Sequence, residues 1–194
     1  LPVSAVQGTP GARNSTYATN IGPTFAHFGH RPVVPQPNQA VTVSVIVSDP
    51  QGVASSTLWW STDSSTWSSA AMTSSGGVYR GTIPGFSAAT LVQFYVQATD
   101  GQGASSTYPA GGPNSRALYT LNDGRAVSGK LHNLRIVMTK SDADWLHAIT
   151  NVMSNAKLGA TVVYDEKEVF YDVGVKLQGS EHGRYEDNRV GFTM

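Results

Sequence analysis

The sequence TVVYDEKEVFYDVGVKLQGS, residues 161–180, organises the carboxyl-terminal part of this chain. Apolar residues recur at every second position on both sides of residues 165–168, a period typical of β-strands. We therefore predict a hairpin, with strands at 160–164 and 169–177 joined across residues 165–168. A charge-rich segment flanked by glycine follows at 181–189, and residues 190–194 begin a further strand.

Residues 131–160 predict a strand and a helix before this hairpin. The strand covers 131–139 and carries on one face Leu134, Ile136 and Met138. Ser141 is predicted as the N-cap of the helix because Asp144 lies three residues on, and the helix is expected to fade near Asn155. The expected apolar stripe of the helix consists of Trp145, Ile149, Val152 and Met153. Together these elements predict an α+β lobe that cannot bury its sheet alone.

Residues 21–121 show another pattern, in which short alternating strands are separated by turns. Residues 41–47 carry valine at every second position, and residues 91–98 form the longest predicted strand, with one face made of Val92, Phe94 and Val96. Turn residues occupy 49–52, 76–77 and 100–103. We predict an all-β sandwich of the immunoglobulin or fibronectin type. Adjacent Trp59 and Trp60 should lie on opposite sides of their strand, one in the core and one outside.

The distribution of charge divides the chain. Residues 1–120 contain neither lysine nor glutamate, and the first residues of these types are Lys130 and Glu166. We predict a linker at 1–20, the sandwich at 21–121, a second linker at 122–129 and the lobe at 130–194. Because the chain begins at Leu1 and ends inside a predicted strand, we expect it to be a fragment of a longer protein.

Composition excludes several classes of function. The formal net charge is +0, so no global field would attract nucleic acid or an anionic membrane. No apolar run is long enough for a membrane span. The chain has 0 cysteines, which excludes disulfides and thiolate sites but leaves the compartment open. Motifs for a phosphate-binding loop, a zinc protease or a serine hydrolase are absent from the sequence.

Two resemblances follow from these motifs. The order strand, helix, hairpin and the strand end Gly174-Val-Lys-Leu-Gln-Gly-Ser180 resemble the start of a CotH-like domain, the spore-coat-protein-H type of atypical kinase. This resemblance covers roughly residues 131–194. The turn at 49–53, the tryptophan strand and the sequence FYVQATD at 94–100 resemble the Ig-like repeats of bacterial surface proteins. Residues 8–15 resemble the closing segment of lamin-tail-like domains.

The first resemblance implies a truncated kinase-like N-lobe, whose full-length parent phosphorylates a protein with ATP and Mg²⁺. It implies phosphate-facing roles for Lys176, Gly179, Ser180, Arg184 and Arg189. The catalytic base and the metal ligands would lie beyond Met194, so we assign no catalytic or metal-binding residue and expect the fragment to be inactive and without a cofactor of its own. The implied location is the bacterial cell surface or the extracellular space, and the implied partner is a protein substrate or a cell-surface component.

An alternative function stays open for this chain. Glu181 and Asn188 depart from the family's pattern, and Glu181 places negative charge where a phosphate would lie. Arg184 and Arg189 then form ordinary surface pairs with neighbouring acids. In that case the protein is a non-catalytic adhesion or spacer protein built of β domains.

Further candidate sites have simpler alternatives. His27 and His30 suit a zinc pair or two loop histidines, and His182 suits a phosphate contact or a surface position. Asp49 and Asp100 suit Ca²⁺ or turn formation. A sugar-stacking platform is a hypothesis for the tryptophans, which are Trp59, Trp60 and Trp67.

Overall fold

The computed structural model describes residues 17–125, 132–179, 184 and 191–194. In this part the chain is mainly β and its sheets are antiparallel. The strands are β1 (Thr24–Arg31), β2 (Val41–Ser48), β3 (Val53–Ser61), β4 (Ser68–Ala71), β5 (Thr73–Ser75), β6 (Val78–Ile83), β7 (Leu91–Asp100), β8 (Ser105–Tyr108), β9 (Leu118–Thr120), β10 (Leu134–Val137), β11 (Leu158–Tyr164), β12 (Glu168–Gln178) and β13 (Gly191–Thr193). A short 3₁₀-helix, Gly112–Asn114, precedes β9, and the α-helix α1 (Lys140–His147) lies between β10 and β11.

Strands β1 to β9 form two sheets around one hydrophobic core. Their orders are β1-β2-β6-β5 and β4-β3-β7-β8, and β9 pairs with β7. The alternating valines of β2 are all buried, and so is the predicted face of β7 with Val92, Phe94 and Val96. The prediction of a mainly β fold is thus confirmed, and two packed sheets are compatible with the predicted sandwich.

The predicted turns connect these strands. Gly76 and Gly77 have φ angles of 59° and 79° and join β5 to β6, where a side chain would be strained. Asp49 accepts a hydrogen bond from the backbone N–H of Gln51 at 2.7 Å, as expected for a turn-forming aspartate.

Strands β10 to β13 form a separate sheet outside the sandwich, in the order β10-β11-β12-β13, which we call the second sheet. The predicted hairpin is confirmed: Tyr164 of β11 pairs with Glu168 of β12 across a turn in which Asp165 and Glu166 have positive φ. The register slips opposite Thr161 because β12 carries one extra residue there, a β-bulge that includes Asp172 with φ 55°.

The helix prediction is wrong at both ends. The N-cap is Thr139, whose hydroxyl accepts a hydrogen bond from the backbone N–H of Asp142 at 3.2 Å, while Ser141 lies inside α1. Thr139 is followed by Asp142 three residues later, which is the same pattern as Ser141 and Asp144 but begins two residues earlier. The helix starts at this earlier pair. The helix ends at His147 and not near Asn155.

The predicted apolar stripe is confirmed for Val152 and wrong for its other members, because helical spacing no longer applies after His147. Leu146 and Val152 are buried against Leu177 of β12, whereas the predicted stripe residues Trp145, Ile149 and Met153 are exposed. Val152 reaches the sheet from a turn in which its backbone N–H donates to the carbonyl of Ala148 at 3.0 Å.

The second sheet uses its two faces differently. One face turns Val137, Val163 and Tyr171 towards the sandwich, where Tyr171 packs against the core. The other face is covered by α1 at one end only. At the uncovered end Leu134 is 49% exposed and Phe170 is 51% exposed. The boundaries that we placed between domains stay predictions.

Candidate functional site

Three of the residues with an implied phosphate-facing role lie in the described part of the chain, and they are Lys176, Gly179 and Arg184. Ser180 and Arg189 lie outside the described residues, as do Glu181, His182 and Asn188. Lys176 is half-buried on β12, and its Nζ lies 3.2 Å from Oδ1 of Asn155.

The side chain of Arg184 is buried and holds two backbone carbonyls. Its Nε donates to the carbonyl of Gly179 at 2.9 Å, and its Nη1 donates to the carbonyl of Val152 at 2.7 Å. These bonds tie the end of β12 to the turn after α1. Gly179 has φ 112°, and the space where a Cβ would stand is open to 4 Å. The structure therefore brings Arg184 and Gly179 together through the backbone of the glycine, and the phosphate role of both stays a prediction.

A buried His–Tyr pair joins the sandwich to the second sheet. His30 of β1 is 1% exposed, its Nε2 lies 2.9 Å from the carbonyl of Val33, and its Nδ1 lies 2.5 Å from the hydroxyl of Tyr171. A carbonyl can only accept, so Nε2 carries the proton and Nδ1 accepts from the tyrosine. The rings of Phe28 and Tyr119 pack around this pair.

Burial dominates the protonation of this pair. It lowers the pKa of His30 from 6.5 to about 4, although the bond to the Val33 carbonyl opposes the effect and the charge of Arg31 adds to it. Burial also raises the pKa of the Tyr171 hydroxyl. Both groups are therefore neutral near pH 7, and both nitrogens of His30 are occupied. The expectation of two loop histidines is wrong, since His27 and His30 both lie on β1.

Arg116 forms a second link, which joins the sandwich to α1 and to the second sheet. Its Nε donates to Oδ2 of Asp142 at 2.5 Å, and its backbone N–H donates to Oδ1 of Asp172 at 3.0 Å. The hydroxyl of Thr161 donates to the carbonyl of Arg116 at 2.6 Å and accepts from the N–H of Leu118 at 2.8 Å. A Cβ on Gly159 would lie 2.5 Å from the Arg116 side chain, so only glycine admits this close approach. Nothing in the local sequence pattern indicated this link, because its members are far apart in the chain.

A cleft of about 500 Å³ opens between β1 and β12. The basic side chains of His27, Arg31 and Lys167 line it together with the acidic Glu168. Among the described residues none of these side chains has an ion-pair partner. His27 has φ 52° and lies in a bulge where β1 slips its register against β2. Among the described residues that line the cleft, the cations Arg31 and Lys167 outnumber the carboxylate of Glu168, so the cleft favours an anionic group over a cationic one.

Three aromatic rings gather on the outer face of the sheet that contains β3 and β7. Trp59 and Tyr95 are directly opposite each other on these strands, with nearly parallel rings whose centroids lie 6.1 Å apart. The ring of Trp67 meets Tyr95 at 5.1 Å. Trp60 points the other way and packs against the core, which agrees with the prediction that the two adjacent tryptophans lie on opposite sides of their strand. Tyr95 was missed as a site residue, although the alternation of residues 91–98 placed it on the outer face.

The two candidate calcium aspartates form turns. Asp100 is buried, and its carboxylate accepts from the side-chain amide of Asn20 at 2.7 Å and from backbone N–H groups of Gln102 and Ala104. Burial alone would raise the pKa of Asp100, but these hydrogen bonds lower it below its ordinary value. The described residues contain no group of three or more His, Asp or Glu side chains placed to share a metal ion.

Comparison with known proteins gave no match to any protein-family model or to any curated protein. Within residues 17–125, 132–179, 184 and 191–194, no helix has the length and apolar character needed to cross a membrane.

Proposed function

We propose that this chain belongs to a bacterial surface or secreted protein of the CotH-like class. In this proposal an Ig-like sandwich carries the first part of a kinase-like lobe, and the parent protein phosphorylates a protein substrate with ATP and Mg²⁺. The chain itself does not bind nucleotide and acts as the support that positions the lobe.

The arrangement of strands supports the proposed combination of an Ig-like sandwich with part of a kinase-like lobe. An antiparallel sheet with α1 inserted between β10 and β11 is what the resemblance to a kinase-like N-lobe leads us to expect. Two antiparallel sheets around a core of alternating residues are equally expected for an Ig-like unit. Fold alone does not fix activity, so the site must carry the functional argument.

The hydrogen bonds made by the Arg184 side chain are the observation that supports the proposed inactivity of the chain. Two of its N–H donors, on Nε and Nη1, are directed to the carbonyls of Gly179 and Val152, so this side of the guanidinium is used within the protein and is not free to meet a phosphate. Two further described cations lie near the end of β12: the amine of Lys176 is 3.2 Å from Oδ1 of Asn155, and the side chain of Lys157 lies beside Gly174. Within the described part of the chain no group of three or more His, Asp or Glu side chains is placed to share a metal ion, and lysines without such a group are insufficient for Mg²⁺–ATP.

Calorimetric titration with ATP and Mg²⁺ tests this proposal. We expect no saturable heat from the wild-type chain or from Lys176→Ala. Micromolar affinity that requires Mg²⁺ and is lost in Lys176→Ala would show that the lobe binds nucleotide by itself. Such a result would overturn the supporting role and strengthen the kinase assignment of the parent.

A non-catalytic spacer or adhesion protein is the second candidate. The specific observation in its favour is the buried link between the sandwich and the second sheet, in which His30, Tyr171, Arg116 and Thr161 take part. A stiff connection of this kind suits a protein that transmits force or holds a fixed distance. In the parent reading frame, an Asp- and Asn-rich catalytic segment after Met194 would favour the kinase, and its absence would favour the spacer.

A further inference from the structure

The outer face of the sheet β4-β3-β7-β8 has an unusual composition. Trp59, Trp67 and Tyr95 form an aromatic cluster in its middle, which we call the outer platform. Trp59 and Trp67 are half-buried, so each keeps part of its ring accessible to solvent. Aromatic rings grouped on the solvent side of a sheet mark a binding surface more often than scattered apolar residues do.

The strand positions around the outer platform are mostly polar and uncharged, but the loop between β3 and β4 carries Asp63, whose carboxylate accepts from the hydroxyl of Ser61 and from the backbone N–H groups of Ser65 and Thr66. The side chains on the same face of the neighbouring strand positions are those of Ser55, Thr57, Ser69, Ala71, Gln97, Thr99, Ser105 and Thr107. Hydroxyl and amide groups therefore surround the rings, and no strand position of this face in the described chain places a Lys, Arg, Asp or Glu beside them. An anionic partner would meet the carboxylate of Asp63 and would find no opposite charge at these strand positions.

The indole N–H of Trp59 adds a second observation. It is a hydrogen-bond donor that is covered by neighbouring atoms, and it has no acceptor among the described residues. A buried donor without a partner destabilises a protein, and such groups ordinarily have one. The Trp59 indole therefore carries a donor that the described part of the chain leaves unsatisfied.

We propose that the outer platform binds a neutral polysaccharide, whose sugar rings stack on Trp67 and Trp59 while its hydroxyls bond to the surrounding hydroxyl and amide groups. A sugar ring has an apolar face of C–H groups that packs on an aromatic ring and a rim of hydroxyls that both donate and accept. A neutral chain matches these hydroxyl and amide groups, whereas the Asp63 carboxylate disfavours an anionic polymer. This site lies on the sandwich and is independent of the nucleotide proposal.

Titration with cellohexaose, chitohexaose and xylohexaose tests this site, with calorimetry and tryptophan fluorescence as the two measurements. We expect one of these oligosaccharides to bind and to change the tryptophan emission. Trp67→Ala should weaken binding about tenfold, the loss expected for one stacking ring. The matched control is Trp145→Ala, which removes a tryptophan that is 38% exposed on α1 and should leave the affinity unchanged.

A second variant avoids any dependence on the folding of a tryptophan mutant. Ser69 is exposed and lies directly opposite Trp59 on β4, so Ser69→Arg covers the ring without touching the core. We expect this variant to fold and to lose binding. The proposal is overturned if none of the three oligosaccharides binds, or if binding survives in both Trp67→Ala and Ser69→Arg.

Discussion

At the scale of single residues, His30 makes the stability of the molecule depend on pH. Unfolded His30 takes up a proton near pH 6.5, whereas in the folded protein its pKa is about 4. Between these values the unfolded state binds more protons than the folded state, so the free energy of unfolding rises with pH. The stabilisation by neutral His30 is therefore complete above pH 6.5 and is lost as the pH falls towards 4.

We expect this group to lower the free energy of unfolding by about 3 kcal/mol between pH 7 and pH 4. Urea denaturation of the wild type and of His30→Gln at several pH values measures the effect. The variant should be less stable at pH 7 and should show a flatter pH dependence. His147→Gln is the control, because His147 is an exposed residue on α1. Parallel curves for wild type and His30→Gln would show that His30 does not titrate in this window.

Ala89 is a second residue whose replacement has a defined effect. It lies at the third position of a turn in which the N–H of Thr90 donates to the carbonyl of Ser87, and its φ is 61°. Alanine is strained there and glycine is not. Ala89→Gly should raise the free energy of unfolding by about 1 kcal/mol. Ala88→Gly is the matched control, because Ala88 is a neighbouring exposed residue with ordinary φ, and it should lower the free energy of unfolding. If both variants changed the free energy of unfolding in the same direction, strain at Ala89 would be contradicted.

At the scale of elements, the start of α1 provides a comparison of two candidate caps. The hydroxyl of Thr139 accepts from the N–H of Asp142 and lies 2.7 Å from its carboxylate, whereas Ser141 is exposed inside the helix. Thr139→Ala should lower the free energy of unfolding by about 1 kcal/mol. Ser141→Ala should change it by less than about 0.5 kcal/mol. Chemical denaturation measures both, and a larger effect for Ser141→Ala would restore the original prediction of the helix start.

The elements that local patterns determine could be predicted from the sequence. The β11–β12 hairpin and the buried face of β2 follow from alternation, which depends on neighbouring residues only. The early end of α1 could not be predicted, since helical periodicity continues past His147 while the chain turns so that Val152 meets Leu177. The bulge at Asp172 could not be predicted either, because it accommodates contacts with Arg116 from a distant part of the chain.

At the scale of the whole molecule, the functional surfaces were less predictable than the strands. The outer platform combines Trp59, Trp67 and Tyr95, and the tyrosine joins only through the pairing of β3 with β7. The role of Arg184 depends on the carbonyls of Gly179 and Val152, and nothing in the sequence of its loop indicates those partners. Charge and residue type therefore suggested sites, and long-range packing decides which side chains are free to act.

A buried contact couples the sandwich to the second sheet. Tyr171 packs on the sandwich core, with its ring 5.1 Å from Phe28 and 5.8 Å from Phe94, and bonds to His30. Because this contact is buried and shared, we expect the two parts to unfold in one calorimetric transition. Tyr171→Ala should lower the free energy of unfolding by about 3 kcal/mol, since it leaves a cavity and an unpaired histidine between the sandwich and the second sheet. We expect the single transition to split in two.

Phe170→Ala is the matched control for this split. Phe170 is the next residue on β12, lies on the opposite face and is 51% exposed, so its removal should leave a single transition. Hydrogen exchange followed by mass spectrometry locates the effect: in Tyr171→Ala, peptides from 134–178 should exchange faster while those from β2 and β7 keep their protection. A single transition in Tyr171→Ala, with uniform loss of protection, would mean that the Arg116 and Thr161 hydrogen bonds alone suffice to couple the two parts.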